Sequence, residues 1–248
     1  MPYPLAAVRN KILLPSAAAQ TYSEKVLATA SANLLVYFIC GEASGTVMQE
    51  EKNNYDGLYA GVTLGETGIG DGNTCPWWDG ANDEGDIYTA GLNSGFSGTE
   101  GTAMVWAKVN SSAVWTDGTV RSAMAIAADV NNLWRIERSS TNNTLNFRYT
   151  GAGTSKSIVV GSLSYTTWMC LLAKWSDTND YHRAYINGSL VGTPASSIPT
   201  WVGALDATRC NVGARTNGPV DVWHGWLAHA AEWNTLLSDA QILDLATV

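Results

Sequence analysis

The chain has 248 residues, of which 46% are apolar and only 15% charged, and its formal net charge is −8. That length suits a single all-β domain. The composition argues against a disordered acidic polymer, and the absence of a basic stripe argues against a nucleic-acid surface.

In chain order, the first thirty residues stand apart. Pro2, Pro4 and Pro15 bar a helix through residues 1–15 and favour extended backbone. Thr21 followed by Glu24 has the capping-box spacing, which predicts a short helix over 21–32. Three cations (Arg9, Lys11, Lys25) against Glu24 give this segment +2 and leave −10 for residues 31–248. We therefore divide the chain into an extended N-terminal arm, 1–30, and one domain, 31–248. The arm reads either as an anchor on a neighbouring molecule or as a tail folding back on its own domain. The run Ile12-Leu13-Leu14 is too short for a signal-peptide core. No apolar stretch approaches the roughly 18 residues of a membrane span, so neither a leader nor a span is expected.

From Leu34 onward the apolar pattern has period two. Strands are predicted over residues 102–109, 122–128, 133–138, 145–149, 157–160, 168–175, 181–186, 209–214 and 223–233. Asp-Gly and Asn-Gly pairs punctuate them, and Asn187-Gly188 between Tyr185-Ile186 and Leu190-Val191 is a strong hairpin signal. Eleven Trp and ten Tyr with 24 Gly fit aromatic strands joined by tight turns. Many short strands at this spacing imply an all-β, two-sheet antiparallel sandwich. Ser238-Asp-Ala-Gln241, a second capping box, starts a short C-terminal helix.

Five segments in order carry a resemblance. Leu35-Val-Tyr-Phe-Ile-Cys-Gly-Glu-Ala-Ser-Gly45 is followed by Asn54-Tyr-Asp-Gly57, then Trp78-Asp-Gly-Ala-Asn-Asp83, then Tyr185-Ile-Asn-Gly188. The last is the stretch from Gly225-Trp-Leu-Ala-His229 through Glu232-Trp-Asn-Thr-Leu-Leu-Ser to Ile242. Together they resemble the concanavalin A-like lectin/glucanase superfamily, most closely its laminin-G-like and pentraxin-like jelly rolls. The resemblance implies two stacked antiparallel sheets, one of them concave, and glycan binding as the commonest activity. The closing strand departs from that pattern: Ala228 and His229 stand where relatives usually carry acids.

Catalysis on this fold needs two carboxylates about 5–5.5 Å apart for retaining hydrolysis. Glu84-Gly-Asp86 matches the glucanase motif only in part, because Tyr88 and Thr89 replace the third carboxylate. No catalytic residue is therefore assigned. His224 and His229 lie five apart on one strand and are expected on opposite faces. Cys40, Cys75, Cys170 and Cys210 lack metal-ligand spacing and read as buried thiols or as partners in a disulfide. Asp79, Asn82, Asp83 and Asp86 crowd oxygen donors beside Gly turns, a candidate calcium loop. The same residues also suit ordinary Asx turns. Trp77, Trp78, Trp115, Trp201 and Trp223 lie beside turns and are the candidate glycan-stacking aromatics, while Trp106, Trp134, Trp168, Trp175 and Trp233 read as core.

A leaderless Met1 start, a proline-rich arm and a lone jelly roll together point to a non-enzymatic phage virion module of the decoration, tail or receptor-binding type. The arm would hold other virion proteins or a second copy, and the sandwich would present a glycan-binding face. The alternative is a cellular or secreted, extracellular carbohydrate-binding module.

Overall fold

A computed structural model describes residues 20–248. The first element is helix α1 (Tyr22–Ala28). Its capping box is closed: the Glu24 amide donates to the Thr21 hydroxyl at 3.3 Å and the Thr21 amide donates to the Glu24 carboxylate at 2.8 Å. Six strands follow: β1 (Leu34–Phe38), β2 (Val47–Met48), β3 (Gly57–Ala60), β4 (Thr63–Thr67), β5 (Thr74–Asp79) and β6 (Glu84–Asp86). Helix α2 (Ala90–Gly95) precedes the long strand β7 (Glu100–Val109). After a 3-10 turn at Ser112–Trp115 come β8 (Arg121–Ala127), β9 (Leu133–Arg138), β10 (Leu145–Gly151), β11 (Thr154–Val160) and β12 (Met169–Ser176). The chain ends with β13 (Tyr181–Ile186), β14 (Ser189–Ala195), β15 (Asn211–Val212), β16 (His224–Trp233) and helix α3 (Asp239–Leu245).

The strands form two eight-stranded antiparallel sheets. Sheet A runs β14-β13-β12-β7-β16-β5-β4, and β1 pairs with the C-terminal half of β16. Sheet B runs β11-β10-β9-β8-β15-β6-β3-β2. The period-two pattern places one side chain of each pair between the sheets. Trp134 and Ile136 of β9 and Phe147 and Tyr149 of β10 point inward, opposite Leu171, Ala173 and Trp175 of β12. Trp134 stacks on Trp175 with ring centroids 5.4 Å apart. The fit leaves no room at Gly213, whose φ is +82° and where a Cβ would lie 2.0 Å from Trp78 Nε1.

A second apolar layer covers half of the outer face of sheet A. Tyr22 and Val26 of α1 and Ile242 and Leu245 of α3 pack there with Met104, Ala231 and Trp233. The Tyr22 hydroxyl accepts from Trp106 Nε1 at 2.6 Å and donates to the Leu245 carbonyl at 2.7 Å, tying both helices to the sheet. This corrects the boundary drawn at residue 30: helix α1 belongs to the domain, because its apolar stripe is buried against the sheet. The remainder of the assigned arm, residues 1–19, lies outside the described residues.

The predicted strands are present, with β9 and β13 matching their expected limits. The stretch 209–214 forms only a two-residue strand, β15, because Gly213 turns the backbone with positive φ. The two histidines of β16 do not follow strict alternation. A bulge falls between Ala228 and Ala231, and His229 has φ +50°. The extra residue turns His229 to the outer face, where Trp226 and Ala228 also pack. His224 and Trp226 share a face by alternation, so both histidines lie on one side of sheet A, against expectation.

Candidate ligand-binding face

The outer face of sheet B is built from one continuous register. Val47, Leu58, Asp86, Asn211, Ala125, Arg135, Arg148 and Ser157 are successive cross-strand partners over all eight strands. Directly paired residues share a face, so the row is a single line of side chains. One step along the strands, Glu137 pairs with Asn146. Each of these polar residues alternates with a core residue of β9 or β10, which is what fixes its outward direction.

This face is polar yet dry. Arg135 is 5% exposed, Glu137 2% and Asn211 fully buried. Arg135 is ion-paired to Glu137 and to Asp221 (3.1 Å), Arg148 to Glu137 (3.1 Å), and Arg215 to Asp221 (3.0 Å). Burial lowers the Arg135 pKa, and the neighbouring Arg148 and Arg215 charges push the same way. Several buried atoms here have no hydrogen-bond partner among the described residues: Arg135 Nε, Arg148 Nε, Asn146 Oδ1, both amide atoms of Asn211, Asn217 Oδ1 and Glu84 Oε2. Buried polar groups are normally satisfied; these atoms are covered by neighbouring side chains rather than open to solvent on this face. Between β8, β9 and the 209–216 segment it opens into a cavity of about 400 Å³, with Arg135, Arg148, Arg209 and Arg215 in its wall beside Ala127, Val130 and Leu133.

The carboxylates of the partial glucanase motif lie on this face. Asp86 sits in the row and Glu84 two residues away on the same strand. Burial, aided by the charge of Asp86, raises the Glu84 pKa. Asp86 accepts from the Tyr88 amide at 2.9 Å and from Asn217 Nδ2 at 2.9 Å.

The candidate calcium loop is taken apart by its own backbone. Asp79 Oδ1 accepts from the amides of Ala81 (2.7 Å) and Asn82 (3.3 Å), and Asp83 Oδ2 from the amide of Asp79 (2.7 Å). Asp83 is 2% exposed, and Asp86 belongs to strand β6 rather than to the turn. Asp79, Asn82, Asp83 and Asp86 thus do not converge, and among the described residues no group of three or more His, Cys, Asp or Glu is placed to hold a metal ion. One oxygen of Asp79 and one of Asp83 are engaged by backbone amides of the turn, the ordinary Asx use of such residues.

The candidate stacking aromatics divide. Trp78, Trp115 and Trp223 are fully buried and Trp201 nearly so, a correction to their expected exposure. Trp115, Trp201 and Trp223 donate to the carbonyls of Tyr165, Gly203 and Lys108 respectively, so these indoles pin loops to the core. Trp77 keeps a half-buried ring. It pairs across strands with Trp226, which pairs with Lys108, and the Lys108 ammonium lies 4.3 Å from the Trp226 ring centroid. Trp168, one residue before Met169 in register with Ala107, extends this line on the outer face of sheet A. Trp226 was assigned to neither class from the sequence, although its place two residues before Ala228 in an alternating strand marks it as outward. Also unassigned were Arg135, Glu137, Asn146 and Arg148, whose signal was equally plain: charged or amide side chains at every second position of predicted strands.

His229 anchors a buried chain on the same face of sheet A. Its Nδ1 lies 2.7 Å from the Tyr37 hydroxyl and its Nε2 3.1 Å from Asp71 Oδ2. Against the burial that would raise it, the His229 and Asn73 hydrogen bonds hold the Asp71 carboxyl at about 2. Tyr22 packs edge-on over the His229 ring at 4.7 Å. No substrate reaches these atoms, so the chain Tyr37–His229–Asp71 is structural.

No curated protein matches the chain in sequence. Among solved structures it resembles domain 4 of AbnA, a GH43 extracellular arabinanase from Geobacillus stearothermophilus, in complex with arabinotriose. The TM-score is 0.61 at 14% identity, over 87% of this chain and 98% of that one. It also resembles the Botulinum neurotoxin serotype D binding domain (TM-score 0.63, 13% identity, 88% of this chain, 52% of that one). A third is Trypanosoma rangeli sialidase in complex with sialic acid (0.62, 12%, 87% and 33%). The chain thus spans about half of the toxin structure and a third of the sialidase, and at these identities the likeness is one of fold. A laminin-G family model matches residues 79–243, two-thirds of the sequence and most of both sheets. On that match, and on the two-sheet architecture that accompanies it, the chain belongs to the concanavalin A-like lectin/glucanases superfamily.

Proposed function

We propose that this chain is a non-enzymatic glycan-binding module whose ligand lies along the outer face of sheet B. The observation that carries the reading is the cavity of about 400 Å³ on that face, with Arg148, Arg209 and Arg215 beside Ala127, Val130 and Leu133 in its wall. Sugar hydroxyls accept from guanidinium donors and sugar C–H faces pack on apolar side chains, so such a mixed wall suits a saccharide. A glycan array on the purified protein tests it. Glycans should be retained, and Arg148→Ala and Arg215→Ala should each weaken binding about tenfold, as expected for one lost hydrogen bond to a charged group. An array with no retained glycan, or binding indifferent to both substitutions, would overturn the reading.

A hydrolase is the rival reading, favoured by one observation: Glu84, with a raised pKa and a free oxygen, shares a strand face with Asp86. Environments that set two neighbouring carboxyls apart are how acid and base roles are divided. If hydrolysis of a retained glycan is detected, Glu84→Gln and Asp86→Asn should abolish it; unchanged turnover would remove this pair from consideration.

Placement on a phage particle is a proposal from sequence. It rests on the contrast between a proline-rich segment carrying Arg9 and Lys11 and a domain of strongly negative charge. With helix α1 part of the domain, the anchor reduces to residues 1–19. Capsid or tail genes beside its own would support the virion placement, and a glycan-utilisation cluster would support the extracellular alternative.

A further inference from the structure

We propose that residues 1–19 fold back on their own domain as a strap across the outer face of sheet A. Ile12 and Leu14 sit against Ile39, Ile69 and Trp226, and Arg9 and Lys11 sit against Glu42, Glu51 and Glu66. The inference does not rest on the glycan-binding reading, whose cavity is on sheet B. It competes with the virion anchor for the same residues, and the test separates the two.

The direction of α1 leads to it. At the C-terminal end of the helix the Thr29 carbonyl accepts from Trp233 Nε1 at 2.8 Å. At the N-terminal end the Tyr22 hydroxyl meets Trp106 Nε1, and Trp106 is in register with Ala228. The helix therefore runs against the direction of β16, and the chain that enters it comes from the side of Trp226. Trp226 lies two positions from Ala228, roughly 7 Å along the strand. Gln20, the first described residue, thus stands at the border of the half of this face that neither helix covers.

Face and segment match in chemistry. Ile39, Ile69 and Trp226 are only partly buried beside the apolar layer that holds Tyr22 and Leu245. Ile39 also lines a groove of about 200 Å³ with Glu42 and Glu51. Glu66 is in register with Cys75 and shares its outward face. None of these three carboxylates is ion-paired among the described residues. Burial and the charges of Glu42, Glu50 and Asp56 raise the Glu51 pKa, so a cation arriving there relieves repulsion.

Residues 1–19 carry Arg9 and Lys11 and no acid, against −10 for residues 20–248. Their prolines favour extended backbone, in which Ile12 and Leu14 point the same way. A segment of this length reaches about 60 Å when extended, several times the span to be covered. Tethering within one chain gives an effective concentration on the order of mM, which favours the segment's own domain over a second copy or another protein.

The test is zero-length carbodiimide cross-linking of the full chain, mixed from isotopically light and heavy protein and read by peptide mass spectrometry. Lys11 should link to Glu42, Glu51 or Glu66, always between peptides of one isotope. Ile12→Ser together with Leu14→Ser leaves every charge in place. It should cut the Lys11 yield at least about fivefold, the scale of losing one buried apolar side chain. Trp226→Ala should do the same from the other side of the contact. If Trp226→Ala does not fold, the double Ser variant decides alone, since it alters no residue of the described domain. Mixed-isotope links would make the occupant a second copy, and no Lys11 link to any of the three glutamates would leave the segment free to act as an anchor. Either result overturns the strap, as does a yield that the double Ser variant leaves unchanged.

Discussion

Two residues in the inter-sheet core shape how this molecule responds to pH. His182 is fully buried and neither ring nitrogen has a partner among the described residues; burial drives its pKa from 6.5 down to about 3. Glu232 is 1% exposed with both oxygens unpartnered, and burial raises its pKa well above 4.5. Both are therefore neutral in the folded state near pH 5, where the unfolded chain carries both charges. Between pH 4.5 and 6.5 unfolding releases the Glu232 proton and takes one up at His182, so the two slopes cancel. Above 6.5 only Glu232 matters: the folded state holds the extra proton, and stability falls as pH rises. Below 4.5 His182 acts together with the depressed carboxyls, Asp71 foremost: in each the unfolded state holds the extra proton, and stability falls as pH drops. Denaturant titrations should give a flatter middle region, a falling alkaline limb, and an acid limb steeper than the about 1.4 kcal/mol per pH unit of a single group. Glu232→Gln should flatten the alkaline limb, and His182→Gln should make the acid limb shallower by about 1.4 kcal/mol per pH unit. A profile unaltered by either change would show that these groups are not the source. Neither residue was marked by the sequence, because a lone His or Glu in an alternating strand looks the same whether it faces water or the core until the register is known.

At the scale of elements, helix α1 shows where local signals were sufficient and where they were not. Thr21 and Glu24 announced the helix, and both halves of the capping box formed. Where the helix docks was not readable, because Tyr22 and Val26 give too short an apolar stripe to name their partner. Deleting residues 1–30 should accordingly do more than remove an anchor. It uncovers Trp233 and strands the Trp106 indole, and thermal melts should show a large loss of Tm. The milder Tyr22→Phe keeps the ring and removes only the hydroxyl, and should cost about 1–3 kcal/mol. If the 1–30 deletion melts like the full chain, the docking of α1 is not a stabilising part of the domain. The β16 bulge teaches a similar lesson. Alternation gave the strand, but one inserted residue at His229 reversed the parity on which the two-histidine argument stood.

Over the whole molecule, the two-sheet sandwich followed from period-two patterning and turn residues and the C-terminal helix from its capping box, all local signals, while the jelly-roll class came from the family resemblance. The polar row across sheet B did not follow in this way, because it depends on eight strands falling into one register, and no single segment carries that information. The oxygen-rich turn is local and conspicuous, yet one oxygen each of Asp79 and Asp83 is engaged by backbone amides of the turn. Excess EGTA should leave Tm unchanged, whereas a drop would restore calcium to that loop. The four cysteines are free and buried, with burial pushing Cys75 and Cys210 up to about 12. Ellman's reagent should find almost no thiol in the folded protein and four after denaturation; fewer than four would reveal a disulfide.

The half-buried indoles have an optical consequence. Trp77, Trp168 and Trp226 lie together on the outer face of sheet A, and the other eight tryptophans are buried. Aqueous iodide or acrylamide will therefore dim emission from one side of the sandwich only. A molecule settling over that side would shield the signal, while a saccharide in the arginine cavity on the far sheet would leave it almost untouched. The protein carries a built-in lamp that tells an observer which of its two faces has been covered.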